Sequence, residues 1–174
     1  NLSIDKINKL HLRIDDSPNA ELGQIAWKAR KLKEANQLDV IIIDYLGLIT
    51  VEQNGKRIEN KTAEVSEISR QLKSLARELE VPVIVLSQLN RSVESREIKI
   101  PMMSDLRDSG SIEQDADVIM FLYRDAYYNK PIVKTPVEEL LVRVSKNRNG
   151  TVGDVSLKFQ MTTGGIKSDK SGEQ

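Results

Sequence analysis

The chain has 174 residues, of which 39% are hydrophobic and 30% are charged, and 26 basic residues balance 26 acidic ones. This composition predicts one soluble globular domain. Its net charge is zero, whereas free-standing DNA-binding domains usually carry an excess of basic residues. The chain has no cysteine and a single histidine, which excludes disulfides, thiol nucleophiles and Cys/His zinc sites. The absence of cysteine also fits a reducing cytoplasm. No apolar run is long enough to span a membrane.

The first half of the chain alternates between strand and helix patterns. Leu10–Asp15 alternates like a short strand, and Ser17–Glu34 starts with a Ser-Pro pair that is typical of a helix cap. Leu38–Asp44 is an aliphatic run that closes on a carboxylate, as expected for a strand buried on both faces. A helix opening at Thr62 and an aliphatic run at Val83–Leu86 follow. We expect these last three elements to form a right-handed parallel βαβ unit.

The second half of the chain predicts strands and a hairpin. Val118–Tyr123 is a further aliphatic strand, and Glu138–Lys146 and Gly153–Phe159 both alternate between polar and apolar residues. Between these two lies Asn149-Gly150, a strong hairpin signal. The chain is therefore predicted to be α/β with a β-hairpin near its end, followed from Gly164 by a frayed tail.

Two polar residues follow the strands of the predicted βαβ unit. Asp44 ends the first strand, and Ser87-Gln88 ends the second, so both should lie at one edge of the sheet. In nucleotide-binding α/β folds, an Asp at this edge meets Mg²⁺ and phosphates, and a Gln orients water or responds to the γ-phosphate. The alternatives are that Asp44 caps a turn and that Gln88 simply begins a loop.

Five segments of the chain carry a family resemblance. They are Ile14–Pro18, Ile43–Leu46, Leu86–Glu94, Asp105–Arg124 and Lys146–Gly150. In this order they resemble the motor domain of bacterial and phage replicative DNA helicases of the DnaB type. The resemblance implies a RecA-like P-loop NTPase core, with a mostly parallel sheet flanked by helices and a C-terminal β-hairpin. It assigns residues 1–163 to this partial motor domain and residues 164–174 to a flexible tail.

The resemblance also implies ATP and Mg²⁺ as cofactors, with a role for each matching residue. Asp44 matches the Walker B aspartate, which holds Mg²⁺ through water, and Gln88 matches the residue that couples the γ-phosphate to the DNA loops. Lys146 and Arg148 match the pair that reaches the γ-phosphate bound by a neighbouring subunit, with Arg148 as the arginine finger. We expect the hairpin to hold Arg148 clear of its own core, with no partner within the chain.

A polar segment before the Val118–Tyr123 strand matches the loop that grips single-stranded DNA inside a ring. The matching residues are Arg107, Asp108 and Gly110, whose family counterparts contact the DNA backbone. Other basic residues in the preceding loop have DNA, a neighbouring subunit or solvent as alternative partners: Arg91, Arg96 and Lys99.

The family's remaining motifs are not found in this sequence. No Gly-x-x-x-x-Gly-Lys-Ser/Thr phosphate-binding loop occurs, so we expect that loop to precede Asn1 in a parent protein and these residues alone to hydrolyse no ATP. The parent is then an ATP-dependent 5′–3′ DNA helicase that works as a homo-hexamer on single-stranded DNA, with primase and a helicase loader as implied partners. The alternatives are a RecA-like recombinase-type ATPase, which the Asp105–Asp117 segment disfavours, and a non-catalytic interaction fragment.

Overall fold

The computed structural model describes most of the chain, namely residues 10–18, 20–53, 56–106, 110–129 and 135–168. The chain divides into two compact units, Asn1–Gln88 and Leu89–Gln174. In the described part of the chain, no helix combines the length and the apolar character that crossing a membrane requires.

In its described residues, the first unit contains a parallel strand pair, two α-helices and a small antiparallel hairpin. Its elements are α1 (Leu22–Glu34), β1 (Ile41–Ile43), β2 (Glu52–Gln53), β3 (Lys56–Arg57), α2 (Lys61–Leu79) and β4 (Val83–Val85). Strand β1 pairs with β4 in parallel, with Ile41 opposite Val83 and Ile43 opposite Val85. The predicted parallel βαβ unit is therefore confirmed.

Local hydrogen bonds explain where α2 begins and why α1 does not begin beside Ser17. Helix α2 starts at Lys61, one residue before the predicted Thr62, because the side chain of Asn60 accepts the Ala63 N–H (3.0 Å) and caps the helix. The prediction that α1 begins beside Ser17 is wrong, since the N–H and hydroxyl groups of Ser17 both donate to Asp15 Oδ1 (3.2 and 2.6 Å). These bonds form a local turn in place of a helix cap.

The strand predicted at Leu10–Asp15 is also wrong, because these residues form no strand in the structure. The apolar alternation that suggested it leaves large side chains in solvent, for example Ile14 with 81% of its surface exposed. An alternating pattern alone does not form a strand where no neighbouring strand pairs with it.

The core of the first unit supports the parallel strands from one side. Ala29 of α1 packs with Leu75 and Leu79 of α2 and with Val81, and Ile41 of β1 lies against this cluster. The apolar stripe of α2 therefore fixes β1 and β4 at their amino ends. Beyond the carboxyl ends of both strands, Asp44 and Gln88 are exposed to solvent.

The second unit is built on an antiparallel sheet. Its elements are α3 (Gly110–Asp115), β5 (Val118–Tyr123), α4 (Asp125–Tyr128), β6 (Val137–Asn147), β7 (Gly153–Gln160) and β8 (Gly165–Ser168), and the strands lie in the order β5-β6-β7-β8. The α/β class and the hairpin are confirmed. Among the described strands, however, parallel pairing is limited to β1 and β4. Strand β8 lies in the range that was predicted as a flexible tail, and residues 169–174 lie outside the described part.

A bulge near the end of β6 changes the direction of one side chain. Met120 lies opposite Val144, but the preceding Ile119 lies opposite Lys146, which leaves Ser145 as an extra residue between the two pairs. Residues directly opposite each other share one face of a sheet. Lys146 therefore shares the face of Ile119, whereas strict alternation would have placed it on the face of Val144.

The face that Lys146 shares is the one on which helix α3 packs. Ile119 and Phe121 of β5 form a buried cluster with Leu106, and Ile112 and Ala116 pack against that cluster. The bulge therefore turns Lys146 toward α3, where it meets the end of the helix.

Candidate functional site

Asp44 and Gln88 lie at the same edge of the parallel strand pair. Asp44 directly follows β1, and Gln88 comes three residues after β4. Two hydrogen bonds hold the segments that follow the two strands together: Leu86 N–H donates to the Ile43 carbonyl, and Leu46 N–H donates to the Leu86 carbonyl (both 2.9 Å). The Asp44 and Gln88 side chains are exposed, so a ligand at this edge has access to both.

The chemistry of Asp44 fits a magnesium ion that arrives with a nucleotide. In the described residues, no three acidic or histidine side chains cluster in a way that would hold a metal. Mg²⁺ in nucleotide sites uses one or two carboxylates and completes its shell with water and phosphate oxygens. A single exposed carboxylate at the carboxyl edge of a strand can contribute to such a shell, with the other oxygens coming from water and phosphate.

Lys146 and Arg148 bind the C-terminal end of α3. The Lys146 ammonium donates to the Glu113 carbonyl and, at 3.4 Å, to the Gln114 carbonyl, and Arg148 Nη2 donates to the Gln114 carbonyl at 3.0 Å. The last carbonyls of a helix lack partners within the helix, and cations are favoured there. Lys146 and Arg148 supply hydrogen-bond donors and positive charge to these carbonyls. Lys146 can reach them because the bulge at Ser145 turns its side chain toward α3.

The expectation that Arg148 has no partner in its own chain is wrong. Besides the Gln114 carbonyl, Arg148 Nη1 lies 3.4 Å from Asp117 Oδ1, and the Arg148 N–H donates to the Asp117 carbonyl at 2.8 Å. Both side chains of the ion pair are nearly half exposed, at 46% and 49%. Ion pairs of this exposure contribute about 0–1 kcal/mol, so the pair does not prevent the guanidinium from also binding an incoming anion.

The residues predicted to bind DNA are only partly described by the structure. Gly110 is the first residue of α3, and with Lys146 and Arg148 it lines a shared open cavity. Arg107 and Asp108 lie outside the described residues. Helix α3 therefore begins at a predicted DNA contact and ends at the predicted finger pair.

Arg96 has a structural partner in place of the solvent, DNA or neighbouring subunit considered from the sequence. Its Nη2 donates to Oδ2 of Asp105 at 2.6 Å, and the Met102 N–H donates to the same oxygen at 2.8 Å. Asp105 is 4% exposed, and its carbonyl accepts the Asn90 N–H at 2.8 Å. This ion pair anchors the main chain up to Leu106, the last described residue before Arg107.

We expect Arg96→Ala to lower the free energy of unfolding by about 3 kcal/mol, because it leaves the buried Asp105 carboxylate without its cation. Arg70→Ala is the matched control, since Arg70 pairs with Glu67 on the surface of α2 with 66% of its side chain exposed; its cost should be about 0–1 kcal/mol. Urea unfolding of both variants measures the difference. Equal small losses would contradict the structural role of Arg96.

Sequence reasoning missed Gln114, Asp117 and the Arg96–Asp105 pair. Gln114 acts through its main-chain carbonyl, so its side-chain chemistry carries no signal. Asp117 meets Arg148 only because β5 and β6 are neighbours in the sheet. An antiparallel β5–β6 pairing, had it been predicted, would have placed the residue before β5 beside the end of β6.

Comparison with known proteins identifies the family of this chain. The sequence profile of the DnaB-like helicase C-terminal domain matches residues 1–167. The chain belongs to this family. It is 52% identical over 158 residues to the replicative DNA helicase DnaB of Geobacillus stearothermophilus, and 51% identical over 158 residues to the replicative DNA helicase DnaC of Bacillus subtilis.

These DnaB-like relatives are longer than the chain. Each of the two alignments covers 91% of this chain and 34% of the relative, so the chain spans about a third of the relatives' length. Two solved structures match with a TM-score of 0.87 over 97% of this chain. One is a DnaB-like replicative helicase studied with its interactions with primase, at 41% identity over 41% of its length. The other is an ATPase domain, at 42% identity over 58% of its length.

Proposed function

We propose that this chain is part of an ATP-dependent replicative DNA helicase that moves 5′ to 3′ along single-stranded DNA and unwinds the duplex at the replication fork. The observation that carries the proposal is the family match over residues 1–167, together with relatives above 50% identity that are replicative DNA helicases. The exposed edge with Asp44 and Gln88 is chemically suited to such an ATPase, and so are Lys146 and Arg148, which contact the C-terminal end of α3.

In this proposal ATP binds between subunits, with Mg²⁺ supplying charge neutralisation to its phosphates. Asp44 orients the water shell of the ion, and Gln88 at the same edge responds to the γ-phosphate. Lys146 and Arg148 reach the γ-phosphate of the neighbouring subunit, where Arg148 stabilises the transition-state charge. A homo-hexameric ring, with primase and a helicase loader as partners and a cytoplasmic location, completes the proposal.

A fork-unwinding assay with the full-length protein tests this function. A labelled DNA fork with a 5′ single-stranded tail should be unwound in the presence of Mg²⁺ and ATP, and a fork with only a 3′ tail should not. Chelating Mg²⁺ with EDTA, or replacing ATP with a non-hydrolysable analogue, should stop the reaction. ATP hydrolysis without unwinding of either fork would contradict the proposal.

Arg107→Ala tests the proposed DNA contact. Loss of a phosphate-binding arginine should weaken binding about equally for all single-stranded sequences and make the salt dependence shallower by about one unit of slope. Fluorescence anisotropy with several oligonucleotides over a range of salt concentrations measures both quantities. An affinity loss confined to certain base sequences would mean that Arg107 reads bases, which the proposal does not allow.

A further inference from the structure

The contacts of Arg148 within its own chain leave part of its guanidinium available to a second partner. A guanidinium has five N–H donors in a rigid planar fork. Here Nη2 donates to the Gln114 carbonyl and Nη1 faces Asp117 Oδ1, while 46% of the side chain is exposed. The group can keep both contacts and still present N–H donors to an anion that approaches from solvent.

Asp117 contacts both the main chain and the side chain of Arg148. Its main-chain carbonyl accepts the Arg148 N–H at 2.8 Å, and its carboxylate lies 3.4 Å from the guanidinium. The first contact fixes the main chain at the start of the hairpin turn, and the second fixes the direction of the long side chain. An arginine otherwise has many rotamers, and choosing one of them costs conformational entropy.

We propose that Asp117 is a positioning residue, which orients the Arg148 guanidinium before a neighbouring subunit presents its γ-phosphate. The inference rests on the proposed function, because it assumes that Arg148 acts on that phosphate. Asp117 itself touches neither nucleotide nor metal in this scheme. Its effect is preorganisation, since a donor that is already aimed at the developing charge needs no rearrangement during the reaction.

The variant Asp117→Asn in the full-length protein tests this inference. Asparagine keeps the size of the side chain and the main-chain bond to Arg148, but it removes the charge that orients the guanidinium. We expect kcat for ATP hydrolysis to fall about 3- to 5-fold, because an exposed pair contributes little and the Gln114 contact remains. This loss is smaller than the roughly 100-fold that a 1 Å misplacement causes. KM for ATP should change by less than about twofold, since Asp117 does not contact the nucleotide.

Asp154→Asn is the matched control for a merely structural effect. Asp154 and Arg143 form an exposed ion pair on the same hairpin, with 2.7 Å between Arg143 Nη2 and Asp154 Oδ2. Removing this carboxylate should leave kcat within about twofold of wild type, because exposed pairs contribute little to stability. Equal slowing by both variants would overturn the inference, as would an unchanged or a faster kcat in Asp117→Asn.

Combining Asp117→Asn with Arg148→Ala tests whether Asp117 acts through Arg148. If it does, the double variant hydrolyses ATP at the rate of Arg148→Ala alone, because the group that Asp117 orients is already absent. A further loss in the double variant would overturn the inference. Normal hydrolysis by Arg148→Ala would instead remove the arginine finger from the proposed function. A slow Arg148→Ala with a normal Asp117→Asn would remove only the inference about Asp117.

Discussion

Replacing Arg148 with alanine should leave ATP binding and ring assembly intact while slowing hydrolysis by about 10³- to 10⁵-fold, as expected for an arginine finger. The loss falls on the transition state, because the guanidinium neutralises charge that develops as the γ-phosphoryl group is transferred. Steady-state hydrolysis, nucleotide binding and size-exclusion chromatography of the full-length protein measure the three properties. Arg143→Ala is the matched control, since it removes an arginine from β6, the strand that leads to Arg148, and should keep hydrolysis within about twofold of wild type.

Mixed rings separate a finger that acts on its neighbour from one that acts within its own subunit. Arg148→Ala subunits are combined with subunits that carry Asp44→Asn, each inactive alone. Some interfaces of a mixed ring then pair an intact Asp44 with an intact Arg148 from the adjacent subunit, so part of the activity should return. If mixed rings form and no activity returns, Arg148 does not act across the interface. Near-normal hydrolysis by Arg148→Ala alone would end the finger assignment.

Replacing Asp44 with asparagine should reduce Mg²⁺-dependent hydrolysis by about 100-fold, the upper end of the range for residues that act on a metal through its outer shell. Asparagine has the same shape, and the side chain is exposed beyond the end of β1, so the fold should be unaffected. The loss should shrink at high Mg²⁺ concentration, because added ion compensates for weaker binding. Titration of Mg²⁺ at saturating ATP measures this effect.

Asp39→Asn provides the control for Asp44. Asp39 is also exposed, but it precedes β1 and so lies at the opposite end of that strand from Asp44. Its replacement should leave the Mg²⁺ dependence unchanged, because only the carboxyl edge carries the proposed nucleotide site. A similar Mg²⁺ dependence in both variants would mean that general surface charge, and not a site at the end of β1, attracts the ion.

The parallel half of the fold follows from the sequence because its signals are local. The aliphatic runs around Ile41–Ile43 and Val83–Val85 and the apolar stripe of α2 each predict their own element, and a βαβ unit has one favoured handedness. The start of α1 does not follow, because Asp15 and Ser17 satisfy each other in a turn. Strand β8 was missed because it is short and, apart from Ile166, consists of glycine and polar residues, so the segment has no apolar alternation that would indicate a strand.

The candidate site divides in the same way. Asp44 and Gln88 could be assigned to one sheet edge because each lies within three residues of the end of a recognisable strand. The partners of Arg148 could not be identified, because they depend on the pairing of β5 with β6 and on the main-chain carbonyls at the end of α3. The ion pair between Arg96 and the buried Asp105 carboxylate could not be predicted either, because an arginine in a long polar loop has many possible partners.

The bulge at Ser145 also determines where β6 tolerates a change in length. Losing Ser145 would leave Lys146 directly after Val144 and still opposite Ile119, so every side chain would keep its face. The pairing with β7 would be undisturbed, because it ends at Val144 opposite Gly153. Deleting a residue between Val137 and Val144 would instead move one part of the strand to the wrong face. Ser145 is therefore the point in β6 at which the strand can be shortened without turning Lys146 away from α3.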